Sequence, residues 1–298
     1  MASERRFPAI VIAKKCWTIL VLLGLAYYLW ANGRRIVNTA FTIPGNDLGV
    51  ALLCIVIGKL SAIYVMWASL KVTATRLTSW RDIMWVYASA DVAKYIPGGV
   101  WAIMGRVVQY RNYGMSAEAM SKALVLENII VCFCALPLAL PVCVLLFAEQ
   151  GWLTPALGGG VLVLAVLVTL GAVMFARRFD LLKSMRPFIG VAPLASIVMM
   201  IGWVAMGTSF FMLLPGAQNL QLWLWAIGSY ATAFVAGMVA VFAPAGAGVR
   251  EGVLVLIGQL SGMSSSAILD AAILNRAIWV IADTCVFFWA TVIRLSGK

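Results

Sequence analysis

The sequence predicts an all-α, polytopic membrane protein that forms a single domain. Of its 298 residues, 63% are hydrophobic and 11% are charged, and the mean hydropathy is +1.00. A soluble core of this size has no room for so much apolar surface, so the bilayer must act as the solvent of the chain. Six apolar runs of spanning length and a one-sided distribution of Lys and Arg support the same fold class.

Six segments are predicted to cross the membrane as full helices, since a spanning helix needs roughly 20 predominantly apolar residues. These segments are 16–31, 48–70, 118–147, 152–176, 194–214 and 267–293. The first follows a short basic region, as the apolar part of a signal peptide does. In a chain this hydrophobic we interpret it as an uncleaved span.

Two further segments are long enough to enter the membrane but are interrupted. Segment 79–113 is broken at Pro97-Gly98-Gly99, and segment 220–260 is broken between Pro244 and Gly248. Proline removes a helical N–H and glycine costs about 1 kcal/mol inside a helix, so each break should end one helix and start another. Each segment is predicted to be a re-entrant hairpin of two half-helices or a pair of short spans.

The basic residues predict the orientation of the chain. Both termini are predicted to be cytoplasmic, because this orientation places 15 of the 22 Lys and Arg residues on the cytoplasmic face and only Arg34 and Arg35 outside. This distribution explains the net charge of +11 without a nucleic acid partner. The predicted location is the cell membrane, as in a multi-pass protein of a bacterial inner membrane.

The two halves of the chain, 48–147 and 194–293, resemble each other, and 148–193 connects them. A shift of 148 residues places Gly98 on Gly246 and gives 9 identities in the 34 positions from Gly98 to Val131. Three full spans separate the two broken segments, so the hairpins should enter from opposite faces. Interrupted segments at corresponding places in two inverted halves indicate the midplane binding site of a transporter.

Each break is predicted to open a half-helix whose free N–H groups point into the membrane, where they favour an anion. Arg106 and Arg250 follow the breaks and supply guanidinium groups suited to a phosphate. The alternative is that the breaks only kink ordinary spans and that the arginines reach an interface. The candidate lipid headgroup site comprises Lys94, Pro97, Gly98, Gly99, Arg106, Pro244, Gly246, Gly248 and Arg250.

Several further polar residues are predicted at membrane depth, where an ionisable side chain needs a partner or a wet cavity. Lys59 and Asp91 are two of them, and the candidate polar network comprises Glu127, Asn128, Glu251, Asn275, Arg276 and Asp283. The 148-residue shift places Glu127-Asn128 on Asn275-Arg276, which suggests a pair between Glu127 and Arg276. Arg276 and Asp283, seven residues apart, are expected to share a groove. The alternative is that these charges only hold the bundle together.

The sequence points away from metal and redox chemistry. All six cysteines lie in apolar runs, where thiols behave as small hydrophobic groups, and the chain contains no histidine. We therefore predict no metal site, no cofactor and no catalytic constellation.

Two motifs carry a resemblance to a known family. The run from Lys94 to Trp101 with Gly105-Arg106, and the run from Pro244 to Gly252, resemble the transmembrane region of the lysylphosphatidylglycerol synthase/flippase family, including its short standalone members. The resemblance covers about 48–293. It implies a flippase fold with two facing cavities and an aminoacyl-lipid or similar charged lipid as cargo. Family members that make aminoacyl-lipids have a soluble synthase domain after this region, so synthesis of lysyl-lipid is not expected here.

The leading hypothesis is a translocase for a charged lipid, namely a phospholipid, an aminoacyl-phospholipid or a polyprenyl-phosphate sugar. One alternative is an intramembrane glycosyl- or phosphotransferase acting on a lipid carrier. Another is a scaffold subunit that works with enzymes of lipid or glycan synthesis. The sequence does not predict the oligomeric state.

Overall fold

The computed structural model describes residues 33–34, 37–73, 79–93, 101–149, 186–216, 218–240 and 246–296, together with Trp30 and Ala243. Within these ranges the protein is helical and contains no strand, as predicted. The principal helices are α1 (Gly45–Thr73), α2 (Trp80–Ala93), α3 (Trp101–Asn112), α4 (Ala117–Glu149), α5 (Arg186–Met212), α6 (Leu220–Val239), α7 (Val249–Leu260) and α8 (Ser265–Leu295).

Among the described residues, five helices are long and apolar enough to cross a membrane, which makes this a multi-pass membrane protein. The spanning parts are Gly45–Thr73, Ala117–Val144, Val191–Met212, Leu220–Val239 and Ser265–Leu295. They confirm the predicted spans 48–70, 118–147, 194–214 and 267–293 to within a few residues. The predicted spans 16–31 and 152–176 lie outside the described residues.

Helix α1 lies at the centre of the described bundle. Its residues contribute to both large apolar clusters, one shared mainly with α4, α5, α6 and α8 and one shared with α2, α3, α4 and α8. Helices α1 and α5 approach closely because glycines face each other. A Cβ on Gly202 would lie 2.7 Å from Ser61 Cβ and 3.5 Å from Gly58 Cα. Small residues at such crossings let helix backbones come into contact in a membrane protein.

The first interrupted segment forms a hairpin of two short helices. Tyr110 Oη donates to the Ile83 carbonyl at 3.4 Å, and a Cβ on Gly105 would lie 3.7 Å from Ala90 Cβ. These contacts place α2 and α3 antiparallel to each other. With 14 and 12 residues, the arms are about 21 and 18 Å long at 1.5 Å per residue, which is less than the roughly 30 Å hydrocarbon core.

The second interrupted segment also doubles back, but its two arms are unequal. Of the two predicted alternatives, a half-helix or a short span, α6 fits the span, because it has 20 residues and is long enough to cross the membrane. The reason is that no proline or charge interrupts Leu220–Val239, and the break comes only after it. Helix α7 has 12 residues, and Gly246 at the tip approaches Gly237 of α6.

Helix boundaries in the second half follow those in the first half at the 148-residue shift. The bounds of α3 fall on those of α7, and the start of α4 falls on the start of α8. The turns between these helices also correspond. Gly114 and Gly262 have φ of 79° and 72°, and the Met115 and Met263 N–H groups donate to the equivalent carbonyls of Tyr110 and Gly258. This correspondence supports the internal repeat inferred from the sequence.

Gly202→Ala is expected to destabilise the protein by about 1–3 kcal/mol, the usual cost of overpacking a close contact. The added methyl group meets Ser61, a short side chain that cannot move away. Gly49→Ala is the matched control, because a Cβ there meets nothing within 4 Å and alanine favours the helix. Thermal unfolding of both variants in the same detergent tests this, and equal midpoints would contradict the close α1–α5 crossing.

Candidate functional site

Lys59 is the middle residue of α1 and lies almost fully inside the protein, with 3% of its surface exposed. Its ammonium contacts carboxylates on two other helices. Nζ lies 2.7 Å from Asp91 Oδ2 at the end of α2, and it also forms an ion pair with Asp283 Oδ1 of α8. Asp91 and Asp283 are buried as well. Lys59 therefore joins the centre of α1 to the first hairpin and to the last helix.

Arg106 extends this set of ion pairs along the first hairpin. Its guanidinium lies 3.3 Å from Asp91 Oδ1 and donates to both carboxylate oxygens of Glu127, at 3.1 and 3.0 Å. Tyr87 Oη donates to the same Glu127 carboxylate at 2.7 Å, and the Tyr87 ring lies 3.9 Å below the guanidinium. We call Lys59, Tyr87, Asp91, Arg106, Glu127 and Asp283 the Lys59 cluster.

The Lys59 cluster brings together groups that are expensive to bury singly. Charged side chains at membrane depth cost several kcal/mol unless they pair. Here Asp91 accepts one hydrogen bond from Lys59 and one from Arg106, and Glu127 accepts two from Arg106. Arg106 is therefore engaged by two carboxylates and is not a vacant anion receptor in this conformation. Its position after the first break had suggested a contact with phosphate. In the structure, Arg106 instead links Asp91 of α2 to Glu127 of α4.

Arg250, at the second break, has a different environment. Its guanidinium donates to Tyr230 Oη at 2.9 Å and lies 4.4 Å from the ring of Phe234. Within the described part of the chain, no carboxylate forms an ion pair with it. Gly237 and Gly246 pack against its methylene groups, where a Cβ on Gly237 would lie 2.5 Å from Arg250 Cγ. Two aromatic residues and two glycines thus hold the Arg250 side chain in place.

Glu251 is directed away from Arg250. One carboxylate oxygen accepts from Arg276 Nε at 2.6 Å, and the other accepts from the Gly248 N–H at 2.8 Å. The second contact caps the start of α7, where Gly248 has φ of 81°. Glu251 therefore fixes both the tip of the hairpin and the position of Arg276, whose side chain is 33% exposed.

These groups line a small cleft between α6, α7 and α8. The polar residues of the cleft are Tyr230, Arg250, Glu251, Asn275, Arg276 and Trp279. We call these six residues with Phe234 the Arg250 cluster. Two of its three charged groups are guanidinium groups, so the lining carries a net positive charge. The free volume of the cleft is about 10 Å³, no more than one water molecule needs, so the cleft has to widen before it can admit an anion such as a phosphate.

Trp279 connects the two clusters. Its indole N–H donates to Tyr230 Oη at 2.7 Å, and its ring lies 5.1 Å from Lys59 Nζ. Tyr230 in turn accepts from Arg250. A continuous path of contacts therefore leads from the buried ammonium of the Lys59 cluster to the guanidinium of the Arg250 cluster.

Each hairpin is also fastened at its open end by a side chain at an equivalent position. Tyr113 Oη donates to Asp82 Oδ1 at 3.1 Å and accepts from Arg294 at 3.0 Å. Ser261, which corresponds to Tyr113 at the 148-residue shift, accepts from Trp225 Nε1 at 2.8 Å. Burial, followed by the hydrogen bond and charge of Asp82, raises the pKa of the Tyr113 hydroxyl. Tyr113 therefore stays protonated and keeps its donor.

The structure corrects three expectations about the polar network. Glu127 pairs with Arg106 and Arg276 pairs with Glu251, so the predicted Glu127–Arg276 pair is wrong. Asn128 is exposed and donates to the Leu124 carbonyl of its own helix, because it lies one residue beyond the buried face that carries Glu127. Arg276 and Asp283 belong to different clusters, with Trp279 between them.

Of the other predicted site residues, one group lies together at the second hairpin and another lies outside the described part of the chain. Gly246, Gly248, Arg250, Glu251 and Arg276 come together at the second hairpin. Asn275 is buried in the cleft wall and donates to Ser209 Oγ of α5 at 3.1 Å. Lys94, Pro97, Gly98, Gly99 and Pro244 lie outside the described residues.

Sequence reasoning missed three aromatic residues of the site. Tyr87, Tyr230 and Trp279 supply hydroxyl or indole groups to the two clusters, and all three lie within apolar helices. A tyrosine at membrane depth needs a partner for its hydroxyl, which is the signal that would have indicated Tyr87 and Tyr230. The sequence indicated Lys59 and Asp91 as charges at membrane depth but not as the centre of a cluster.

Comparison of the chain with protein-family models and with curated proteins finds no match. The resemblance to the lysylphosphatidylglycerol synthase/flippase family therefore stays a prediction. The functional argument rests on the geometry of the two clusters.

Lys59→Met is expected to destabilise the protein by about 3–5 kcal/mol, because Asp91 and Asp283 lose the cation that they share in a buried site. Lys122→Met removes an equivalent charge from an exposed pair with Glu118 and should cost about 0.5 kcal/mol or less. Thermal unfolding of the two purified variants in the same detergent measures the difference. Similar midpoints for both would show that the Lys59 cluster does not support the fold.

Proposed function

We propose that this protein is a membrane lipid translocase that moves a lipid with an anionic, phosphate-containing headgroup across the bilayer. The headgroup enters the cleft of the Arg250 cluster, while the acyl or prenyl tails stay in the hydrocarbon. The observation that carries the proposal is the Arg250 guanidinium, which is held among aromatic groups and forms no ion pair within the described part of the chain. A phosphate oxygen is the partner that such a guanidinium favours.

Two features support a lipid as the cargo instead of a soluble anion. The helices that form the cleft belong to a protein with five candidate spans, and α7 is too short to cross the core. Large apolar side chains on the same helices face outward, including Val239, Leu256 and Val280, which are 75%, 54% and 44% exposed. A headgroup in the cleft would therefore lie next to a surface that suits its tails.

The arrangement of the halves supports alternating access. In the inverted repeat predicted from the sequence, the two interrupted segments belong to different halves, and transporters of this kind expose a midplane site by rocking one half against the other. Lys59 contacts residues of both halves, Asp91 in the first and Asp283 in the second. If Lys59 exchanged its ion pairs with Asp91 and Asp283, the two halves could shift relative to each other.

The test is a flipping assay in proteoliposomes with fluorescent phosphatidylglycerol, a fluorescent polyprenyl phosphate and fluorescent glucosylceramide, which lacks a phosphate. We expect movement of the first two lipids and not of the third. Arg250→Gln keeps a polar side chain but loses the charge, so flipping should fall by about tenfold or more, as expected for loss of charge-assisted hydrogen bonds. Lys122→Gln, at an exposed surface position, should leave the rate unchanged.

A second pair of variants separates the position of Arg250 from its charge. Gly237→Ala keeps the guanidinium but pushes on Arg250 Cγ, so it should also slow flipping. Gly252→Ala on α7 meets nothing within 4 Å and should not slow flipping. If well-folded wild-type protein moves none of the phosphate-bearing lipids, the proposal is wrong, and the transferase and scaffold hypotheses take its place.

A further inference from the structure

The Lys59 ammonium is shared by carboxylates from two helices that belong to different halves of the chain. Asp91 Oδ2 and Asp283 Oδ1 both contact Nζ, so the two carboxylate oxygens lie within about two hydrogen-bond lengths, or roughly 6 Å, of each other. Lys59 and Arg106 are the two cations paired with the three carboxylates of Asp91, Asp283 and Glu127. The cluster therefore carries one net negative charge, which one bound proton would neutralise. A proton on either carboxylate would leave the ammonium paired with the other.

The ionisable groups near these two carboxylates come from several packed helices. On the side of the first hairpin, Arg106 contacts Asp91 and is itself paired with Glu127. On the side of the second hairpin, the nearest charged residues belong to the Arg250 cluster. The Val191–Met212 part of α5 packs against α1 but contains no ionisable residue. The remaining ionisable side chains of the two clusters and of the described part of the first hairpin, with Arg294 of α8, are Arg81, Asp82, Tyr87, Tyr110, Arg111, Tyr113, Tyr230, Glu251, Arg276 and Arg294.

A proton on Asp91 or Asp283 changes the surroundings of Trp279. The Trp279 ring lies 5.1 Å from Lys59 Nζ, and the attraction between a cation and an aromatic face depends on the position of the ammonium. Trp279 holds Tyr230 by a hydrogen bond, and Tyr230 accepts from Arg250. If these contacts couple the Lys59 cluster to the Arg250 cluster, a proton bound at one changes the affinity of the other for an anion. A bound anion then changes the affinity for the proton by the same factor, since a coupling free energy is reciprocal.

We propose that Asp91, Lys59 and Asp283 form a proton site coupled through Trp279 and Tyr230 to the anion cleft, so that lipid movement is driven by a transmembrane proton gradient. This inference rests on the proposed function. The proton binds a carboxylate oxygen of Asp91 or Asp283 on one side of the membrane and is released to water on the other side. No covalent bond of the lipid changes.

The experiment uses full-length protein in liposomes with fluorescent phosphatidylglycerol as the probe, a pH-sensitive dye in the lumen and the membrane voltage held at zero. For one proton per lipid, a gradient of one pH unit should shift the steady-state distribution of the probe between leaflets by about tenfold. Lipid movement should also change the lumenal pH. In Asp283→Asn the distribution of the probe between leaflets should no longer follow the gradient, whatever rate of probe movement remains.

Trp279→Phe provides a second test, because it keeps an aromatic ring near Lys59 but loses the hydrogen bond to Tyr230. We expect slower or uncoupled movement of the probe in this variant. Trp223→Phe is the matched control, since Trp223 donates a similar hydrogen bond, to Thr208 at 2.9 Å, away from both clusters. Glu118→Gln, at an exposed acid, is the control for Asp283→Asn, and both controls should respond to the gradient as the wild type does.

The outcomes separate the inference from the proposed function. Wild-type protein that moves the probe to the same distribution with and without a pH gradient would overturn the proton coupling and leave the translocase proposal intact. A gradient response that survives in both Asp283→Asn and Trp279→Phe would overturn the assignment of the proton site. Absence of any probe movement by folded wild-type protein would contradict the translocase proposal, and the inference with it.

Discussion

The pairing of a buried lysine with two carboxylates is the interaction on which the described structure depends. Lys59 lies at the middle of a 29-residue apolar helix, where an ammonium without partners is costly. Its contacts with Asp91 and Asp283 determine how α2 and α8 lie against α1. Arg106 continues the pairing from Asp91 to Glu127 and so includes α3 and α4. A single chain of ion pairs thus organises five of the helices, while the apolar packing of α1 against α5 holds the central helix in place.

The two clusters differ in the groups that contact their cations, and this difference makes the two halves of the repeat chemically unequal. In the Lys59 cluster, Lys59 and Arg106 are paired with carboxylates. In the Arg250 cluster, the carboxylate of Glu251 is engaged by Arg276 and by the hairpin tip, and Arg250 is held by aromatic groups instead. The first arrangement places both cations in ion pairs, and the second leaves Arg250 without an ion pair within the described part of the chain. Trp279 contacts Lys59 of one cluster and Tyr230 of the other. A change in the position of Lys59 therefore reaches Arg250 through Trp279 and Tyr230.

Much of the fold followed from the sequence, because apolar length and glycine or proline breaks determine where helices can lie in a membrane. Four full spans, the turn of the chain after α6 and the equivalence of Gly114 with Gly262 were predictable from these signals. The choice of partners was not. The pairs Glu127-Asn128 and Asn275-Arg276 correspond in the repeat, yet Glu127 and Arg276 each form an ion pair within their own half. The rotation of each helix and the nearest arm of a hairpin decide which charges meet. Sequence reveals the depth of a polar residue but not the neighbouring helix that faces it. The length of α6 stayed open for a related reason, since a break at Pro244 is compatible with either a half-helix or a span before it.

The most direct test of the account is an experimental structure of the protein in nanodiscs that contain phosphatidylglycerol. The account predicts a lipid whose phosphate lies within hydrogen-bond distance, about 3 Å, of the Arg250 guanidinium, with the tails along the outward apolar faces of the neighbouring helices. A cleft closed by protein side chains, with lipid phosphates only at the membrane surface and Arg250 paired with a carboxylate, would contradict it.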